Sequence, residues 1–315
     1  MRVLLTGANG FVGGHLYALL KSKGHEVRAL TRIADARYGN DNIACDLERT
    51  ENLSSIVVGC DAIIHLAGRA HVMSDGKVDA SAAYESANTD VTRRLAECAA
   101  NNGIRRFVFL SSIKVNGEST PNDKPFTSKD APHPHDQYGI SKLHAEQELQ
   151  RVAGSTAMDC VIIRTPLVYG TGVRANFASL IKLSISGMPI PLGGVRNRRS
   201  LISVQNLCSA LYRAVSIEVP INATLLVSDG EDLSTPQLIR AIARAHNVSP
   251  SLFWFPVGLL KVLSILIGKH GVYQRLCGSL MVDISETKQL LQWAPEFTVV
   301  ESMNIMAQST LEARS

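Results

Sequence analysis

Short apolar runs alternate with helical stretches over much of this chain. Arg2 to Thr6 predicts a strand, Gly10 to Lys23 a helix stopped at Gly24, and Glu26 to Thr31 a second strand. Asp61 to Leu66 (DAIIHL), Phe107 to Ser111 (FVFLS) and Cys160 to Arg164 (CVIIR) are further runs of the same kind, with helical stretches between them. Runs this short and continuous fit strands buried on both faces, as in a parallel sheet covered by helices. Parallel neighbours need right-handed crossovers, so the pattern predicts an α/β doubly wound sheet, the Rossmann architecture. The stretch from Ala80 to Asn101 carries apolar residues at helical spacing, and Asn102-Gly103 ends it.

From about Thr171 the alternation weakens, and Gly170, Gly172, Gly187, Pro189, Pro191, Gly193 and Gly194 mark turns. A dinucleotide-binding domain is therefore expected over 1–170, with return segments near 200–227 at Leu201 to Val204 and Ala223 to Val227. A smaller α/β substrate lobe is expected over 171–199 and 228–315. One apolar stretch, Leu252 to Gly268, is divided by Pro256 and interrupted by Lys261. Its clean part, about 11 residues, is too short to span a bilayer. An amphipathic helix packed on the body is the expectation, with a weak membrane-surface contact left open.

Composition adds limits. At 315 residues and 45% hydrophobic, the chain can build a core without disulfides. Its six cysteines are scattered with no Cys-x-x-Cys pair, which gives neither a zinc site nor a secreted disulfide frame. Reduced thiols in a cytoplasmic protein, and no metal, are expected. Met1 to Leu5 runs straight into a glycine motif, leaving no room for a signal peptide. A net charge of +4 spread along the chain is too dilute for nucleic acid and slightly favours an acidic small molecule.

Gly7-Ala8-Asn9-Gly10-Phe11-Val12-Gly13 follows a strand and opens a helix. Glycines there let the backbone turn tightly and approach a pyrophosphate, whose charge sits at the helix N-terminus. At the end of the next strand an acid would read the ribose hydroxyl of NAD; here stands Arg32. Arg32 tilts the cofactor toward NADP or weak discrimination between NAD and NADP, and a solvated surface arginine is the competing reading. Tyr138 and Lys142 stand four apart, on one helical face. The ammonium can lower the phenol's pKa and hold a nicotinamide ribose, making Tyr138 an acid or base near neutrality. Ser112, at a strand end, can bond the reacting oxygen and complete a Ser-Tyr-Lys set.

With these residues the chain resembles the extended short-chain dehydrogenase/reductases, the group of sugar-nucleotide epimerases, dehydratases and reductases. The resemblance rests on TGANGFVG at Thr6 to Gly13, CDL at Cys45 to Leu47, HLAG at His65 to Gly68, Asn88, FLSSIKVNG at Phe109 to Gly117, YGISK at Tyr138 to Lys142, RTPLVYG at Arg164 to Gly170 and NRRSLISVQNL at Asn197 to Leu207. It implies that Asp46 and Leu47 hold the adenine, Ala67 and Gly68 the middle of the cofactor, and Pro166 to Val168 the nicotinamide side. Asn176 and Arg199 would hold the diphosphate of a UDP-sugar, and a homodimer through the helices Ala80 to Asn101 and Gln137 to Val152 is expected. His65 reads as packing under the sheet and Asp61 as a turn residue.

Related 4,6-dehydratases carry an Asp-Glu pair after the hydroxyl residue. Ile113 and Lys114 stand there instead, so dehydration is not expected. SSIKVNGE with NFASL, PLGG, NRRSL and VSDGEDLSTPQL resembles a narrower bacterial surface-polysaccharide group. The reaction expected from that is reduction of UDP-2-acetamido-4-keto-2,6-dideoxyglucose to UDP-N-acetylquinovosamine. A UDP-glucose or UDP-N-acetylglucosamine 4-epimerase with tightly bound NAD is the alternative, and a non-catalytic cofactor sensor a third reading.

Overall fold

The computed structural model describes residues 1–70, 80–120 and 124–312. In chain order the strands are β1 (Arg2–Thr6), β2 (Glu26–Thr31), β3 (Asn42–Ala44), β4 (Ala62–His65), β5 (Arg106–Ser112), β6 (Asp159–Thr165), β7 (Leu167–Tyr169), β8 (Arg199–Ser203), β9 (Ala223–Leu226) and β10 (Asp232–Leu233). Seven of them form one sheet in the order β3-β2-β1-β4-β5-β6-β9, and every pairing is parallel.

Alternation along each strand sorts its side chains to two cores. Val3, Leu5, Ile64, Val108, Val161 and Ile163 point to one face and meet Leu16, Leu20, Leu207 and Leu211 from the helices Phe11–Ser22 and Val204–Ser216. Leu4, Ile63, Phe107, Phe109 and Ile162 point to the other, against Leu95 and Leu149 of the helices Val91–Asn101 and Gln137–Gly154. Burial of each such side chain contributes about 1.5–3 kcal/mol, so the central strands are fixed in register by packing on both sides. The chain runs from β1 outward to β3, then returns to β4 on the other side of β1. That reversal opens a crevice at the carboxyl ends of β1 and β4, where sheets of this type bind ligands.

Two expectations need correction. Leu201 to Val204 does not return to the main sheet. Pro166 has no N–H to give a ladder, and after it β7 leaves the sheet and takes β8 as a parallel partner, with β10 antiparallel on β8's other edge. Ala223 to Val227 does return, as β9 beside β6. The helix expected over Ala80 to Asn101 is divided into Ala80–Tyr84, a wide π turn over Glu85–Asp90, and Val91–Asn101. The wide turn holds Asn88, whose side chain is engaged elsewhere, as described below, and such turns concentrate at functional sites.

One buried amide joins the C-terminal segment to this frame. Asn206 is fully buried, donates from Nδ2 to Asp229 Oδ1 at 2.7 Å and to the Phe297 carbonyl at 2.8 Å, and accepts at Oδ1 from the N–H groups of Glu296 and Phe297, both at 3.0 Å. These bonds use the full capacity of a primary amide. Asn206→Ala strands three backbone groups and removes one of the donors to the Asp229 carboxylate, and denaturant melts should show a loss of about 3 kcal/mol. A loss below about 1 kcal/mol would mean that the segment is held by apolar contacts instead.

Candidate active site

The glycine turn sits at the reversal between β1 and β4. Gly7 has φ +69°, and a Cβ there would lie 2.8 Å from the amide nitrogen of Ala67. A Cβ on Gly13 would fall 2.1 Å from the Gly7 carbonyl oxygen and 2.7 Å from that of Ala8. The Gly10 N–H closes the turn on the Gly7 carbonyl at 2.9 Å, and no side chain caps the helix that starts at Phe11. This is the close backbone and open helix N-terminus that a pyrophosphate requires, so the residues fit a dinucleotide. Phe11 and Val12 pack their side chains against the large core cluster, while Gly13 is buried.

A chain of buried hydrogen bonds fixes the opposite wall. Ala67 N–H donates to Thr6 Oγ1 at 3.1 Å, Thr6 Oγ1 meets His65 Nδ1 at 2.7 Å, and His65 Nε2 meets Thr92 Oγ1 at 3.1 Å. Thr92 in turn donates to the Asn88 carbonyl at 2.6 Å. Because Thr6 accepts from Ala67 and Thr92 donates to Asn88, the imidazole carries its proton on Nε2 and accepts at Nδ1. Burial, aided by the charge of Lys142, pulls His65 down to about 3 and keeps it neutral. It is a structural relay, packed under the sheet as its sequence context suggested. Asn88 continues the wall: its Oδ1 accepts from Arg69 N–H at 2.8 Å and its Nδ2 donates to Ser141 Oγ at 2.9 Å. A Cβ on Gly68 would fall 2.9 Å from Asn88 Oδ1 and 3.9 Å from Lys142 Nζ, so this wall touches the helix bearing Tyr138 and Lys142.

Ser112 ends β5, and Tyr138 and Lys142 occupy the first turns of the helix Gln137–Gly154. Asp136 caps that helix, accepting from Gly139 N–H at 2.7 Å, and Lys114 Nζ bonds both Asp136 and Glu118. Burial pushes the Tyr138 phenol up to about 12, while the Ser112 hydroxyl and the Lys114 charge pull it down. Lys142 Nζ lies over the Phe109 ring, 3.9 Å from its centroid, and burial draws it down to about 7 against the charge of Glu146. Lys114, which in sequence marked only the loss of a dehydratase acid, lowers the phenol through its charge, and the Asp136 carboxylate that it bonds opposes it.

The remaining expected residues lie apart from this cluster or serve the frame. Arg32 is exposed and reaches Glu48 at 3.5 Å. The Asp46 carboxylate caps its own turn, accepting from Glu48 N–H at 3.1 Å, and Leu47 is buried in the second core. Pro166 is buried, and the partly buried Val168 side chain packs against the main core. Asn176 is exposed on the first turn of the helix Ala175–Ile185, directly after Ala175 at φ +55°. Arg199 donates from Nη1 to the Gly278 carbonyl at 3.0 Å. Burial lowers its pKa, and no carboxylate among the described residues pairs with it. Glu146, Arg164 and Asn116 carry no role expected from sequence; the Lys142 to Glu146 spacing of four is the one signal that points to any of them.

Gly13→Ala should weaken NAD binding by about a hundredfold or more in calorimetric titration, because its Cβ overlaps the Gly7 carbonyl. Gly14→Ala, whose Cβ would lie 3.9 Å from the nearest carbonyl oxygen, should bind as the wild type does. Equal affinities in both variants would place the cofactor elsewhere.

The pattern of the NAD dependent epimerase/dehydratase family matches residues 3–222. A UDP-glucose 4-epimerase of Vibrio cholerae is 39% identical over 322 residues, covering 99% of this chain and 96% of its own. A UDP-2-acetamido-2,6-beta-L-arabino-hexul-4-ose reductase of Pseudomonas aeruginosa is 26% identical, over 82% of this chain and 61% of its own. Among solved structures, a UDP-glucuronic acid 4-epimerase from Bacillus cereus in complex with NAD aligns over 100% of both chains at 21% identity, with a TM-score of 0.80. By the family pattern and its whole-length likeness to the Vibrio protein, this chain belongs to the NAD dependent epimerase/dehydratase family.

Proposed function

We propose that this enzyme interconverts the C4 epimers of a UDP-hexose. The observation that carries the reading is the placement of Ser112 at the end of β5 and of Tyr138 in the first turn of the helix that touches Gly68, with Ile113 and Lys114 next along the chain after Ser112 and Lys114 bonded to the helix cap Asp136. One hydroxyl acid/base suffices to oxidise and reduce a carbinol carbon. Loss of water would need a second acid and base, which isoleucine cannot supply.

The likeness to the Vibrio UDP-glucose 4-epimerase over nearly the whole of both chains supports inversion over the single reduction that the sequence led us to expect. The tilt toward NADP is also withdrawn. Arg32 and Arg37 are both engaged by carboxylates, Glu48 and Asp35, so a ribose phosphate there would meet anions as well as cations. NAD fits that corner better.

A nicotinamide held between the glycine turn and Lys142 would supply the hydride acceptor and donor for C4. Tyr138 accepts the proton of the C4 hydroxyl and later gives one to the C4 ketone oxygen. Its phenol, near 12, holds its proton at neutral pH and is ready to donate. In the opposite direction Ser112 and Lys114 favour the phenolate, and Ser112 orients the same oxygen. Lys142, beside Gly68, holds the cofactor ribose. Asn176 and Arg199 hold the diphosphate; the half-buried Arg199 has the Gly278 carbonyl as its hydrogen-bond partner and no carboxylate partner among the described residues. That non-reacting end anchors the nucleotide while the hexose turns over between the two hydride steps.

A second reading, reduction of a UDP-4-keto-6-deoxy sugar, uses the same residues and is favoured by the likeness to the Pseudomonas reductase. Purified protein given UDP-glucose or UDP-N-acetylglucosamine with catalytic NAD should form the C4 epimer, and Tyr138→Phe should lower the rate by at least about a hundredfold. Stoichiometric oxidation of NADH or NADPH by UDP-2-acetamido-4-keto-2,6-dideoxyglucose, without epimerisation of either hexose, would establish the reductase instead.

A further inference from the structure

The chain contains no acidic residue between Asp232 and Asp283, yet it carries Arg240, Arg244, Lys261, Lys269 and Arg275 there. Within this segment the helix Val257–Leu266 has one buried residue, Ser264. Leu259, Val262, Leu263, Ile265 and Leu266 are exposed around it, Leu266 to 76%, and Trp254 stands 71% exposed just before it. A surface helix normally turns a polar face to water. This one is apolar nearly all round and lies outside both cores of the sheet. At 10 residues it is too short to cross a bilayer, and no described helix is long and apolar enough to do so. An apolar patch of this kind marks an interaction surface.

We propose that this face docks on an anionic phospholipid bilayer, lying in the interface. The charge pattern selects that partner. Apolar side chains flanked by Lys261, Lys269 and Arg275, with an exposed tryptophan at the edge, supply the two signals that hold a protein at an anionic surface. Lysine stems reach from such a patch toward headgroups while their ammonium groups stay wet. A second copy of the same face would instead set these cations against one another, with no acid in the segment to pair them.

The patch is firmly mounted. Phe253 N–H bonds the Ile190 carbonyl at 3.1 Å and Gly193 N–H the Phe253 carbonyl at 2.9 Å. At its other end, Asn197 Nδ2 donates to the Gly278 carbonyl at 2.9 Å, and Arg199 to the same carbonyl at 3.0 Å. Docking therefore brings the segment from Ile190 to Gly193, bonded to Phe253, toward the membrane surface, whichever sugar reaction the enzyme performs.

The test is flotation of the intact protein with vesicles of phosphatidylethanolamine and phosphatidylglycerol, beside vesicles of phosphatidylcholine alone. Of the two tryptophans, Trp293 is buried, so a blue shift in emission on vesicle addition reports Trp254. The anionic vesicles should carry the protein with a blue shift. The double variant Leu263→Glu/Leu266→Glu should lose at least about tenfold in partition while keeping its melting temperature and its turnover of soluble substrate. Absence of flotation, or equal flotation of the double variant, overturns the proposal. So does a wild-type dimer that dissociates in the variant without any vesicle binding, which would make the face a self-association surface.

Discussion

Glu146 and Arg164 meet at 2.6 Å with 1% and 5% of their side chains exposed, and the geometry of the reacting residues depends on that contact. Glu146 lies one helical turn beyond Lys142 and two beyond Tyr138; Arg164 stands on β6 just before Pro166. Ser111, the neighbour of Ser112, donates to the same carboxylate, and Arg164 Nη1 donates to Asn116 Oδ1 at 2.9 Å. One ion pair thus ties the helix bearing the acid/base to the end of β5, the end of β6 and the loop after Ser112. Such a pair adds little stability over apolar packing, because desolvation offsets the attraction. Removing one partner alone would leave a buried charge, at a cost of about 3–5 kcal/mol. Its contribution here is register.

The same economy of polar contacts runs along the other side of the crevice. Neutral His65 joins Thr6 on β1 to Thr92 on the neighbouring helix, and Asn88 passes the constraint to Gly68, Arg69 and Ser141. Both walls therefore end on the helix Gln137–Gly154. Lys142 sits where they converge, over Phe109, and burial there lowers it to about 7 even with Glu146 beside it. A protonated Lys142 is costly in this setting without an anionic or polar neighbour, which is the environment a ribose and its phosphates provide.

Local spacing made much of this legible. Burial of both faces of β1, β4, β5 and β6 follows directly from their continuous apolar runs, and the Tyr138–Lys142 spacing and the strand-end Ser112 need only helix and strand geometry. Pairings distant in sequence left no such trace. Arg164 and Asn116 are 48 residues apart, and no periodicity joins them. Arg32 looked basic in isolation because Glu48, its partner, sits on a turn 16 residues later. β8 reads like any buried strand, and only its pairing with β7 shows that it lies outside the main sheet. The apolar stretch after Leu252 was visible in sequence, but its exposure was not, because a packed helix and an uncovered one share the same composition.

In the proposed epimerisation, hydride leaves and returns to one carbon under the control of Ser112 and Tyr138. UDP-glucose deuterated at C4, incubated with the enzyme and NAD, measures this directly by NMR of the recovered sugar. The C4 epimer should keep its deuterium at C4. Deuterium lost to solvent, or left in the cofactor with a keto sugar released, would contradict it.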